Sequence, residues 1–327
     1  MPPALASAPL VSVVVPVFRT EEYLPACLAS LLRQTLADFE VVVVDDASPG
    51  DVADVVARAA AGDPRVRLVR HQENQGVALA RLTGARAARG RHLAIVDPDD
   101  EVHERFLDVL HATARRHGAD LVQCGLEVHE PDGTTFVVNR GGEPQQVEGE
   151  AILHALLAGR MSNSLANKLM ATDLFVSAIA GLAVTWDHVP FGQDLLGLFA
   201  LVGRARRFAH VPDPLYLYLL RAASRTRASQ SELLAANIQS LGVVFDFVRA
   251  ELARKPAPAA LVHEFFEREF VVPVVNHFWR ARDAGTGTPA GLPASPASLG
   301  LLGAVIARDL FVDDGPATAR PEGGGQG

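Results

Sequence analysis

Two apolar, β-branched runs near the start of the chain, each cut off by a polar loop, constrain its fold more than any other feature. Leu10 to Phe18 (LVSVVVPVF) and Phe39 to Val44 (FEVVVV) have almost no polar positions. A strand without alternation must be covered on both faces, which is the habit of parallel sheets flanked by helices. Between the runs, Leu24, Leu28, Leu31, Leu32 and Thr35 recur at helical spacing. The pattern then predicts a helix over 51–61, a short strand over 66–70, a helix over 75–89 opened by Asn74 and Gly76, and a strand over 92–96. Such alternation is the βαβ repetition of a doubly wound α/β sheet, whose ligands bind outside the carboxyl ends of the strands. Acidic clusters stand at two of those ends, Asp45-Asp46 and Asp97-Pro98-Asp99-Asp100.

The pattern changes beyond residue 103. A helix over 106–117 leads to a strand over 121–128, a turn at Pro131-Asp132-Gly133 and a β-like run over 134–138. Helices are predicted near 150–158, 164–172 and 192–203, with a pair of strands at 208–211 and 215–220. From 229 to 283 the pattern is helical, with Leu233, Leu234, Ile238, Leu241, Val244, Phe245 and Val248 on one face. The phenylalanines 265, 266, 270 and 278 and Trp279 of that region are expected in the core, because no clean basic stripe accompanies them. Residues 284–298 read as a Gly/Pro/Ala/Ser linker, and PATARPEGGGQG as a disordered tail. The resulting division is an α/β domain over 1–226, a helical extension over 227–284, and a linker, short helix and tail over 285–327.

Composition removes several function classes. A net charge of −8 argues against a broad nucleic-acid surface. Lysine occurs only at 168 and 255, leaving few candidates for lysine chemistry. Cys27 and Cys124 lack the CxxC spacing of zinc or redox sites and fit a reducing compartment. The apolar run Leu174–Trp186 is 13 residues long, against the roughly 20 that a membrane span needs. MPPALASAPL has no basic n-region of a signal peptide. The expectation is a cytoplasmic chain, with the inner face of the membrane as an alternative peripheral setting.

Asp97, Asp99 and Asp100 put three carboxylates within four residues, which is unfavourable unless a cation or hydrogen bonds compensate. Hard divalent ions such as Mg²⁺ or Mn²⁺ take oxygen ligands and keep positions open for phosphates. DPDD is equally good turn and helix-capping chemistry. Asp45-Asp46 reads either as an Asx turn, with Ser48 or Asp51 capping the next helix, or as an acceptor for a base or ribose. Asn74-Gln75-Gly76 with Arg81 reads as an anion-binding helix start or as an ordinary capped helix.

In combination, VSVVVPVF, VVVVDDASPGD, ENQGVALAR and ARGRHLAIVDPDDEV resemble the ordered motifs of family 2 glycosyltransferases over about residues 9–226. The resemblance implies a GT-A (Rossmann-like) fold: a mostly parallel central sheet flanked by helices, with a C-terminal helical extension. It implies an inverting glycosyltransferase of hexosyl type. Asp46, with Asp45 beside it, would contact the nucleotide base, and Pro16, Asn74, Gly76 and Arg81 would lie near the nucleotide. Asp97 and Asp99 match the DXD loop that holds Mg²⁺ or Mn²⁺, with Asp100 as a rival ligand. Asp194, in Gly192-Gln193-Asp194, stands at the position of the catalytic base, and Gln193 replaces the family's Glu. Ser164 to Leu169 resemble a Trp-Asn-Lys-Leu segment with Ala166 in place of the aromatic, which would put Asn167 and Lys168 in the donor or acceptor pocket; Lys168 reads equally as a solvated helix residue. Arg221 is a shifted counterpart of an Arg that would align with Leu219. Trp186 and His188 precede the base segment, where they read either as shaping the acceptor pocket or, for Trp186, as an ordinary core residue, the commoner place of a lone tryptophan. The donor is a nucleotide-diphospho-sugar, UDP-sugar being favoured, and the acceptor is a hydroxyl on a glycan, lipid-linked or small molecule; a homodimer is left open. Two other readings remain: a catalytically silent nucleotide-sugar-binding module, and a receiver- or HAD-like Mg²⁺-phosphoryl domain. The second lacks its lysine and its second aspartate.

Overall fold

The computed structural model describes residues 8–138, 145–182, 189, 191–220 and 231–273. The first half follows the predicted order: β1 (Val11–Val17), α1 (Leu24–Leu32), β2 (Phe39–Asp45), α2 (Val52–Ala60), β3 (Val66–Arg70), α3 (Val77–Ala87) and β4 (His92–Ile95). Then come β5 (Glu101–Val102), α4 (Phe106–His117), β6 (Leu121–His129), β7 (Thr135–Val138), β8 (Gln145–Glu148), α5 (Glu150–Leu157), β9 (Lys168–Ala171), α6 (Thr172–Ala180), α7 (Gln193–Val202) and β10 (Arg207–Leu219). The C-terminal helices are α8 (Ser231–Arg254) and α9 (Ala259–Phe266), the latter running into a π-helical turn, Glu267–Val271.

The strands form one sheet in the order β3-β2-β1-β4-β9-β6-β10-β5, with β7 on β6 and β8 on β10. The β3-β2-β1-β4 half is parallel; β9 runs antiparallel to both β4 and β6, and β6 and β10 are parallel to each other. In β1 and β2, Val11 faces Phe39 and Val17 faces Asp45, while Val14 faces Ile95 of β4. This register brings the loops after β1, β2 and β4 to the same edge. The absence of alternation is explained by cover on both faces. Val14, Val42, Val44 and Ile95 enter the core shared with α3, α5, α6 and α7, and Val13, Val15, Val41 and Val43 enter the one beneath α1, α2 and α4.

Gly84 lets α3 press onto the sheet: a Cβ there would lie 2.4 Å from Val14 Cγ1. That close approach keeps Arg81, one turn earlier, near the strand ends. Leu241, Val244, Val248, Phe265, Phe266 and Phe270 join the same core as α5–α7, so these three phenylalanines pack inward as expected. Phe278, Trp279, the linker, the tail, and the side chains of Leu233, Leu234 and Ile238 lie outside the described residues.

Two expectations are corrected. Residues 164–172 are not a helix: 168–171 form β9, inserted between β4 and β6, and α6 begins where the helix was expected to end. A short apolar run such as Leu169-Met170-Ala171 cannot be assigned by periodicity alone, and here the gap between two strands decides it. The pair at 208–211 and 215–220 is a single strand, β10, whose register with β6 shifts around Pro212–Leu215. Gly125 allows the irregularity, since a Cβ there would lie 2.8 Å from the Pro212 carbonyl oxygen. No helix among the described residues is long and apolar enough to cross a membrane.

Candidate functional site

A cleft of about 870 Å³ opens over the carboxyl ends of β1 and β2. Pro16, Phe18 and Thr20 line one side, Asp46 lies at the back, residues 73–77 with Leu79 and Ala80 form another wall, and Pro98 and Gln193 close it. Asp46 therefore reaches the cleft itself. The DPDD loop and the start of α7 reach it through Pro98 and Gln193, the immediate neighbours of Asp97, Asp99 and Asp194. A second cavity, of about 360 Å³, lies between α5, α7 and the end of α8 and shares no lining residue with the first.

Asp46 is only 2% exposed, and its carboxylate accepts from four donors. Oδ1 takes the Gln75 N–H (2.9 Å) and lies 2.7 Å from His71 Nδ1; Oδ2 takes the Gly76 N–H (2.8 Å) and the Asn74 amide (2.9 Å). A carboxylate has about four lone-pair sites, so this one is filled by the protein. Its effect is to fix the loop into α3, where Gly76 has φ +87°, a conformation that favours glycine. His71 Nε2 continues the network to Thr83 Oγ1 at 2.9 Å. Sequence analysis missed His71, although parallel pairing of Asp45 with Arg70 puts the next residues, Asp46 and His71, side by side. Asp45 takes the turn role: Oδ1 accepts the Ser48 N–H at 2.8 Å, Oδ2 pairs with Arg70 Nε at 3.1 Å, and Asp51 caps α2 through the Asp54 N–H.

The DPDD loop divides its three acids. Asp100 is buried, accepting the Tyr216 hydroxyl at 2.7 Å and the Leu219 N–H at 2.9 Å. Burial, followed by the nearby charges of Asp97 and Asp99, pushes its carboxyl well above the usual range despite those two bonds. Tyr216 also accepts the Asp97 N–H at 3.2 Å, so one hydroxyl ties β10 to the loop twice. Leu219, the position with which the resemblance would align an Arg, contributes its backbone N–H. Asp97 accepts from Arg81 Nη2 at 3.0 Å, and Asp99 is half-buried.

Arg81 is 5% exposed, and its other terminal nitrogen pairs with Asp194 Oδ1. Burial disfavours its charge, but the two carboxylates outweigh that and raise its pKa further. The guanidinium expected near the nucleotide thus joins the DPDD loop to the first turn of α7. Asp194 Oδ2 accepts the Leu165 N–H at 3.1 Å. Beside it, Gln193 lines the cleft, and its Oε1 is buried without a hydrogen-bond partner.

Lys168 is absent from the cleft lining. Fully buried, it donates to the Ser162 carbonyl (3.0 Å), Ser162 Oγ (3.1 Å), Asn167 Oδ1 (3.0 Å) and the Ser164 carbonyl. Asn167 in turn donates to the Cys124 carbonyl at 2.6 Å. Together they staple the turn that offers the Leu165 N–H to Asp194. Arg221, Trp186 and His188 lie outside the described residues.

Among the described residues no three His, Cys, Asp or Glu side chains gather as a metal-binding group. Asp97 and Asp99 nonetheless provide hard oxygen donors, which suits an ion that takes its other ligands from water and phosphate.

The layered sheet and its edge cleft define a GT-A architecture, and solved structures share it. The Staphylococcus aureus TarS 1–349 complex with UDP-GlcNAc superposes with a TM-score of 0.64 at 21% identity, over 90% of this chain and 80% of that one. The Pyrobaculum calidifontis mannosyltransferase PcManGT, in complex with GDP-Man and Mn²⁺, gives 0.55 at 19% identity, over 94% and 82%. Residues 12–173 match the model of glycosyl transferase family 2. The glycosyltransferase GlyG of Streptococcus pneumoniae serotype 4 is 38% identical over 221 residues, 67% of this chain and 73% of GlyG. The glycosyltransferase EpsJ of Bacillus subtilis is 37% identical over 145 residues, 44% of this chain and 40% of EpsJ. The chain belongs to glycosyltransferase family 2.

Proposed function

We propose that the cleft binds a nucleotide-diphospho-sugar and that Asp194 is the general base of an inverting hexosyl transfer to an acceptor hydroxyl. The observation that carries this reading is the Arg81 bridge, which holds a carboxylate of the donor loop and the carboxylate of α7 on one buried guanidinium. UDP-sugar is the favoured donor, in line with the UDP-GlcNAc bound by TarS. The nucleoside occupies the cleft between Pro16, Asp46 and residues 74–76, with Asp46 maintaining the wall.

Asp97 and Asp99 would hold Mg²⁺ or Mn²⁺, which when bound offsets the charge of the leaving diphosphate. Asp194 takes the acceptor proton as the oxygen bonds to the anomeric carbon; the bond to the diphosphate breaks on the opposite face, and its electron pair leaves with the phosphate oxygen. The transition state is oxocarbenium-like. With one oxygen on Arg81 and the other on the Leu165 N–H, the carboxylate keeps lone pairs for the incoming hydroxyl. Asp194→Asn tests the reading: turnover falls by about 10³-fold or more while the donor dissociation constant stays within about twofold. Wild-type turnover in that variant would remove Asp194 as the base. Donor binding without turnover in the wild type, across donor and acceptor panels, would leave a binding module.

A further inference from the structure

The turn behind Asp194 is also held from the C-terminal helices. Glu269, in the π turn after α9, is 8% exposed. Its Oε2 accepts the Asn163 amide at 2.8 Å, and its Oε1 accepts Arg268 Nε at 2.7 Å. Arg268 Nη2 in turn donates to the Leu156 and Leu157 carbonyls at 3.3 and 3.1 Å, at the end of α5. Gly159, with φ +70°, makes room for this contact, since a Cβ there would lie 2.9 Å from Arg268 Nη1. The π turn therefore docks on the last turn of α5 and on the segment that joins α5 to β9. Short π-helical stretches are frequent at functional sites, and in this one Arg268 grips the end of α5 while the next residue, Glu269, grips the turn that follows it.

On its inner side that segment is pinned to β6, where the Ser162 N–H donates to Gln123 Oε1 at 2.8 Å and Asn167 reaches the Cys124 carbonyl. At its outer corner, exposed Asn163 is tied to Glu269. Two residues further on, the Leu165 N–H meets Asp194. We propose that Glu269 and Asn163 are positioning residues for the reaction: by fixing the 162–168 turn they set the angle at which the Asp194 carboxylate, pivoted on Arg81, faces the acceptor. The C-terminal helices are then part of the catalytic apparatus, on the acceptor side only. This inference rests on Asp194 as the base.

The test separates kcat from donor binding in the full chain. Glu269→Ala and Asn163→Ala each lower kcat about tenfold, because a shift of about 1 Å at a reacting group costs up to 10²-fold. The donor dissociation constant and KM stay within about twofold, since the donor wall is built from β1, the loop after β2 and the start of α3. Asn163→Asp alone sets two carboxylates against each other and also lowers kcat. Paired with Glu269→Gln it exchanges donor and acceptor, and kcat returns to within about threefold of wild type. The proposal is overturned if the two alanine variants keep wild-type kcat. It is equally overturned if the exchanged pair, with wild-type melting temperature, stays as slow as Asn163→Asp, or if donor affinity falls in parallel with kcat. A slow Asp194→Asn beside a fully active Glu269→Ala removes only the brace, whereas an active Asp194→Asn removes the base assignment itself.

Discussion

The two acidic loops have similar sequences and use their carboxylates in opposite ways. In the loop after β2, Asp45 holds a turn and Asp46 is filled by four donors from 71–76, so both acids are committed to the protein. In the loop after β4, Asp100 is turned inward in the same way, whereas Asp97 pairs with Arg81 at 3.0 Å and Asp99 is half-buried. Adjacent aspartates therefore mark a strand end near a ligand without saying which lone pairs the ligand receives. Four protein donors on Asp46 against one on Asp97 tell the two uses apart.

The largest expected break in this contrast comes from Asp99→Asn. Donor affinity measured with Mg²⁺ or Mn²⁺ falls about 100-fold, and EDTA has little further effect, because one of the two proposed hard oxygen ligands loses its charge. If Asp100→Asn produced this loss and Asp99→Asn did not, the division of labour within DPDD would be reversed.

Asp46→Ala tests the other loop and reads chiefly as stability. Four donors lose a buried acceptor, and water from the cleft re-solvates some of them, so unfolding free energy falls by about 3 kcal/mol. Donor affinity falls as well, with or without the metal, since the 74–76 wall loosens. Weakened donor binding at unchanged stability in denaturant titration would mean that Asp46 contacts the nucleotide directly.

How much of this was legible in the sequence follows the same division. The strands from β1 to β4, the helices between them and the two acidic loops were readable, because burial on both faces and polar strand ends are local signals. The partners of each acid were not. Arg81 meets Asp194 across 113 positions, and Tyr216 meets Asp100 across 116. Such pairs exist only because β9 enters between β4 and β6 and β10 returns beside β6, and neither feature leaves a local pattern. Lys168 shows the cost of reading locally. Its motif suggested a pocket-lining ammonium, but three donors on a flexible stem serve equally well to staple a turn of carbonyls. Asp194 was found by motif, whereas its two anchors, a guanidinium on α3 and a backbone N–H before β9, required the topology.

Tyr216→Phe gives the smallest effect and sharpens the contrast within DPDD itself. The hydroxyl donates to Asp100 Oδ2 and accepts the Asp97 N–H, so its loss leaves Asp100 with the Leu219 N–H and frees one loop amide. Removing one buried bond to a carboxyl costs about 1.5 kcal/mol in unfolding free energy. The ring itself stays packed edge-on against Phe106, so no cavity accompanies the change. Because Asp97 remains on Arg81, metal-dependent donor affinity drops only a few-fold, far less than for Asp99→Asn. A loss as large as that of Asp99→Asn would show that β10, acting through Asp100, sets the geometry of the whole loop, and the inward-facing acid would then govern ligand binding as much as the outward one.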